Sequence, residues 1–195
     1  MRRNRFDDGP TDEHDRRVPP SRRDLLRWQF DLDWSLFELH LEQLEPADFG
    51  WEPADRCWTM HPGADGQWTP DWEVPEPEPV PVPTIGWLSW HIDWWWSVTL
   101  AHLQRRTPPE RSEVRWPGPG EPVVRRLRGL RADWLAVLDG CTEADLDAPA
   151  PFPWPAEAGL TVAHTLAWVN AELMKNATEI GHVRMLRAAG GDERA

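Results

Sequence analysis

His91, Glu172 and Asn176 are the residues whose types and positions offer chemistry. His91 sits in Trp90-His91-Ile92-Asp93-Trp94, with Trp87 and Trp95 as its neighbours four residues away on a helix surface. Apolar surroundings disfavour a charged imidazole and lower its pKa. A neutral imidazole is the form that ligates a metal ion or accepts a proton. The same setting equally suits a structural histidine hydrogen-bonded to a backbone carbonyl or an Asp. Glu172 and Asn176 are four residues apart, so on a helix both project from one face, beside the apolar positions Val169, Leu173 and Ala177. A carboxylate at the edge of a core face needs a partner. Lys175 offers one at i+3 and also reaches Glu179 at i+4, as ordinary surface pairs do. No glycine-rich dinucleotide loop, phosphate loop, HExxH or GxSxG motif is present.

Helices must position these groups. Ser21 and Asp24 form a capping signal ahead of Leu25, Trp28, Leu32, Leu36 (or Ser35), Leu39 and Leu44, whose spacing predicts a first helix ending before Pro46. Thr84 caps a second helix that runs to about Arg106, with Trp87, His91, Trp94 or Trp95, Val98 and His102 on one stripe. A third helix starts at Gly120 or Glu121, with Pro122 in its first turn, and buries Val123, Leu127, Leu130, Trp134, Val137 and Leu138. Thr142 to Asp145 reads as one helical turn. Thr161 caps the last helix, whose apolar face is Val162, Leu166, Val169, Leu173, Ala177 and Ile180 through to Leu186, with Gly190-Gly191 as its stop.

Between the first two helices, residues 46–83 hold nine prolines, ending in Val-Pro-Glu-Pro-Glu-Pro-Val-Pro-Val-Pro, and also Trp51, Trp58, Trp68 and Trp72. Prolines forbid a helix there, and four tryptophans predict an ordered segment packed over the fold. Asp65-Gly66 reads as a tight turn between short strands at Cys57–Met60 and Gln67–Thr69. The expected fold is therefore all-α: a four-helix bundle with one long Trp/Pro-rich crossover between helices one and two. A charged tail over residues 1–20 precedes a single domain over 21–190.

Composition narrows the functional classes. The 195 residues carry a net charge of -12, which disfavours nucleic acid as a partner. No apolar run of about 18 residues is present to span a membrane. Cys57 and Cys141 stand alone, so a cytoplasmic location is expected. There are 15 Trp, no Tyr and a single Lys, Lys175, against 20 Arg; the arginine excess points to a GC-rich genome.

Two segments carry a family resemblance: Thr84-Ile-Gly-Trp-Leu-Ser-Trp-His-Ile and Val169-Asn-Ala-Glu-Leu-Met-Lys-Asn-Ala-Thr-Glu-Ile-Gly-His-Val-Arg. With them the chain from about Ser21 to Leu186 resembles the DinB-like superfamily. That superfamily includes the metal-binding domain of mycothiol-dependent maleylpyruvate isomerase and related thiol S-transferases. The resemblance implies a four-helix bundle and a divalent metal, Zn or Ni. The ligands would be a helix-two His and a last-helix pair, His-x3-His or Glu-x3-His. His91 and Glu172 match two of these positions, and Asn176 stands where the second His would be. The amide oxygen of Asn is a weak Zn ligand, and Lys175 adds positive charge beside it. His102, His164 and His182 carry no ligand spacing. The implied mechanism has the metal hold a thiol cosubstrate as thiolate, mycothiol in an actinobacterial setting; neither cysteine of the chain lies at the site.

Trp87, Trp94, Trp95, Trp168 and Lys175 are the expected pocket residues around this triad. Two alternatives stand beside the thiol transferase or isomerase: a metal-free protein that binds a hydrophobic small molecule in the same aromatic pocket, and a homodimer that meets its second copy through an outer tryptophan surface.

Overall fold

The computed structural model describes residues 21–190; the tail expected over residues 1–20 lies outside them. The chain is mostly helical, with α1 at Arg22–Leu41, α2 at Ile85–Leu103, α3 at Glu121–Gly140, a short α4 at Glu143–Asp147 and α5 at Val162–Gly190.

Local signals set these boundaries. Ser21 Oγ accepts from the Asp24 amide (3.1 Å), and the Ser21 amide donates back to the Asp24 carboxylate (3.2 Å), a reciprocal cap. α1 stops at Leu41, three residues earlier than Leu44, because Glu45 must be extended ahead of Pro46 and is (φ -98°, ψ 154°). Thr84 Oγ1 caps α2 by accepting from the Trp87 amide (3.3 Å). At the start of α5, the His164 ring accepts from the Thr161 amide (3.1 Å), so this histidine serves as a cap.

The packing of α1 differs from its most conspicuous pattern. Leu25, Trp28, Leu32, Leu36 and Leu39 are all exposed, and the core face is Phe30, Trp34, Phe37 and Leu41. Both sets have helical spacing, so periodicity predicts the helix without choosing its inner side. The expected faces of α3 and α5 do enter the core, apart from the half-buried Val137 and Val162 and the far end of the α5 face, where Leu186 is exposed because the helix runs on past its contacts with the core. α2 is buried almost all round, because it packs on α3 and α5 and is also covered by the loops.

α1 packs against α5 and α3. It runs parallel to α5, with Asn170 bonded to the Leu26 carbonyl near one end and Arg187 paired with Asp48 beyond the other. It runs antiparallel to α3, where Arg27 pairs with Asp139 and Glu38 with Arg128. α2 runs opposite to α1, since Phe30 and Trp34 meet Trp96 while Phe49 meets Gly86.

These directions relocate the crossover. The segment from 42 to 84 joins α1 to α2 but begins and ends at one end of the helices: the Gly86 amide donates to the Phe49 carbonyl (2.8 Å). A Cβ on Gly86 would sit 2.8 Å from that oxygen, so only glycine permits the approach. The connection that travels the length of the helices is residues 104–120, which climbs beside α2. There Trp90 Nε1 donates to the Val114 carbonyl (3.1 Å) and Trp116 Nε1 to Ser89 Oγ (2.8 Å).

The Trp/Pro-rich segment is ordered as expected, but the strand expected over Cys57–Met60 is split: only its Met60 end joins the hairpin, while Cys57 and Trp58 pair with the chain just before α2. β2 (Met60–Pro62) pairs antiparallel with β3 (Trp68–Pro70) across a turn at Asp65-Gly66, where Gly66 has φ +77°. β1 (Cys57–Trp58) pairs in parallel with β4 (Val82–Pro83).

Candidate functional site

Stacked tryptophans fix His91. Its ring lies on Trp87 (centroids 4.9 Å apart, planes 11° apart) and meets Trp94 edge-on at 5.9 Å. Trp87 is itself held, because its Nε1 donates to the Asp71 carbonyl (2.8 Å) and Trp58 and Trp72 pack on it at 4.8 and 6.4 Å. The Arg111 guanidinium sits over Trp72 at 4.3 Å. The Pro-rich segment and the 104–120 connection thus clamp the rings around His91.

His91 Nδ1 is buried without a hydrogen-bond partner among the described residues. Burial and the nearby Lys175 ammonium hold the imidazole down to about 4, with Glu172 opposing them. These influences show that α2 and α5 bring His91, Glu172 and Lys175 together. Lys175 Nζ lies 2.7 Å from Glu172 Oε2, so the expected pair exists and also borders His91.

Asn176 faces inward and is committed. Its Oδ1 accepts from Trp95 Nε1 (3.1 Å) and its Nδ2 donates to Glu179 Oε2 (2.8 Å). An indole nitrogen only donates and a carboxylate only accepts, which settles which end of the amide is which. The expected pocket residues fall into two groups. Trp87 and Trp94 touch His91. Trp95 and Trp168 touch each other (5.7 Å, edge to face), and Trp168 continues to Phe152 and Trp154. His102 stacks on Phe152 (5.0 Å, 7°), and His182 is exposed.

The metal implied by the resemblance does not fit these donors. A zinc site takes about three N, S or carboxylate ligands. Here Asn176 Oδ1 already accepts from an indole N–H, and Glu172 already binds an ammonium. His91 alone keeps an uncommitted nitrogen. Among the described residues, no three His, Cys, Asp or Glu side chains converge to hold an ion.

Several polar groups escaped the sequence reading. Asp33 is buried on the core side of α1, and burial alone pushes its carboxyl up to about 6. Its spacing from Phe30 and Phe37 was the available signal. Asp93, next to the noticed tryptophans, is buried and held by both Arg126 Nε (2.9 Å) and Nη2 (2.7 Å). That pair borders a cavity of about 640 Å³ between α2, α3 and residues 106–115, and leaves the carboxylate fully partnered. Asp71 and Arg111 gave no signal, because only the folded loops bring them to the rings.

Comparison with known proteins gives a fold and a family. No curated protein matches the chain. A solved structure described as the conserved protein of locus from Enterococcus faecalis is similar, with a TM-score of 0.57 at 15% identity over 85% of this chain and 96% of that one. At that identity the likeness concerns fold. The family model of the DinB superfamily matches residues 29–180, the span that contains His91, Glu172 and Asn176, and the chain belongs to that superfamily.

Proposed function

We propose that this protein is a four-helix-bundle member of the DinB superfamily that binds a small, mainly apolar organic molecule without a resident metal ion. The contact groups are His91, Trp94, Trp168 and the Glu172–Lys175 pair. The observation that carries this reading is the commitment of the ligand positions: Asn176 to Trp95, and Glu172 to Lys175. What remains is an imidazole whose buried Nδ1 has no partner among the described residues, set among tryptophans, which suits an apolar ligand with one hydrogen-bonding group. The ammonium and carboxylate offset each other, so the ligand carries little net charge. A cytoplasmic setting belongs to the same proposal, supported by two free cysteines.

A thiol-dependent transferase or isomerase is less well supported. Without a metal, His91 would have to take the thiol proton. A base held near 4 is mismatched by roughly four pH units to a thiol of pKa about 8.5.

Metal analysis of protein purified without a His-tag, together with titration by the uncharged fluorescent probe N-phenyl-1-naphthylamine, tests the proposal. The expected result is far less than one Zn or Ni per chain, and probe binding weakened about tenfold by His91→Ala. One ion per chain that disappears in His91→Ala overturns it, and so does probe binding indifferent to His91.

A further inference from the structure

The outer face of α1 is apolar and carries no charge. From Leu25 to Leu39 its exposed residues are Leu25, Trp28, Gln29, Leu32, Ser35, Leu36 and Leu39. The apolar members are exposed by between 41% (Leu36) and 63% (Trp28), too much to count as the rim of the core. Charged residues make up 28% of the chain, so four uncharged turns on a surface helix are unusual. Depletion of charge with exposed Leu and Trp is the mark of an interface centre. The charges beside the stripe are turned to internal partners: Arg27 to Asp31 and Asp139, Arg131 to Asp31, and Arg128 to Glu38.

The spacing identifies the partner. Leu25, Trp28, Leu32, Leu36 and Leu39 follow intervals of three, four, four and three, a series that reads the same in both directions about Leu32. A helix face with that symmetry is complementary to itself in antiparallel pairing, as a two-fold interface requires. Leu32 then meets Leu32, Trp28 meets Leu36 and Leu25 meets Leu39 of the other copy. Two chains of charge -12 repel one another, so a contact between copies needs an uncharged face. The arginines beside the stripe are already neutralised by carboxylates of the chain, which leaves this acidic protein poorly suited to an anionic lipid surface.

We propose that the Leu25–Leu39 face of α1 is the contact surface of a two-fold symmetric homodimer, with Leu32 on the axis. Sedimentation of the full chain at about 50 µM should give the mass of two chains. Leu32→Glu, at a surface position 43% exposed, should give one chain with an unchanged circular dichroism spectrum. Raising salt from 50 to 500 mM should tighten the wild-type dimer several-fold by screening the repulsion. Under mild oxidation Leu32→Cys should crosslink to itself, while Leu25→Cys should crosslink only when mixed with Leu39→Cys. A wild-type monomer, whether its stripe meets its own residues 1–20 or nothing, overturns the proposal. A dimer that survives Leu32→Glu, or self-crosslinking through Leu25→Cys, does the same.

Discussion

Asn176 shows how one side chain redirects a site. Its amide satisfies the buried Trp95 indole on one side and Glu179 on the other. Asn176→Ala leaves that indole N–H without a partner and should lower the unfolding free energy by about 1–3 kcal/mol in urea titrations followed by circular dichroism. Two other side chains govern the response to acid. His91 titrates near 4 when folded and near 6.5 when unfolded, so between those values the unfolded chain binds more protons and stability rises with pH. Asp33 titrates near 6 folded against 3.8 unfolded; there the folded chain holds the proton, and stability falls as pH rises. The two slopes oppose each other over nearly the same window. Thermal midpoints measured from pH 4 to 6.5 should therefore rise more steeply with pH in Asp33→Asn than in the wild type. They should rise less steeply, or fall, in His91→Gln. Parallel curves for all three proteins would refute this account.

At the scale of elements, contact between α1 and α5 depends on a missing side chain. A Cβ on Gly181 would lie 2.3 Å from His40 Nε2 and 2.6 Å from His40 Cε1. Gly181→Ala should therefore destabilise by about 1–3 kcal/mol despite the better helix propensity of alanine. Adding His40→Ala should recover part of that loss, a coupling that a double-mutant cycle measures directly. An additive cycle would show that the helices separate for another reason. α2 is the opposite case, a helix so enclosed that its amphipathic stripe loses meaning. The 42–84 segment and the 104–120 connection close over the side that α3 and α5 leave open. Stacking of Trp72 and Trp87 under Arg111 is the means by which irregular chain acquires a fixed position.

At the scale of the whole molecule, a resident metal would be linked to folding, because an ion that binds only the folded state raises its stability by mass action. With Asn176 and Glu172 committed to protein partners, the metal-free reading proposed above predicts no such linkage. Excess EDTA should leave the thermal midpoint within about 1 °C, and tenfold excess Zn should not raise it. A chelator-induced drop of several degrees would restore the metal reading. No helix among the described residues is long and apolar enough to cross a membrane.

How much of this was written in the sequence follows from the range of the forces involved. Helix positions were legible because caps, prolines and 3.6-residue spacing act locally: Ser21 with Asp24, Thr84, Pro122 and Thr161 all mark real boundaries. Order in the Pro-rich segment was legible from its four tryptophans, which need apolar contact wherever they lie. The inner side of α1 was not, because Leu25-Trp28-Leu32 and Phe30-Trp34-Phe37 are equally periodic and only packing against α3 and α5 selects between them. Nor was the lengthwise connection, since loop length does not reveal at which end of the neighbouring helices a loop finishes. His91, Glu172 and Lys175 could be named from types and spacing, and the two helices do bring them together. Tertiary structure decided what they can do. Trp95 lies 81 residues before Asn176 and accounts for its carbonyl, a hydrogen bond that no local pattern encodes.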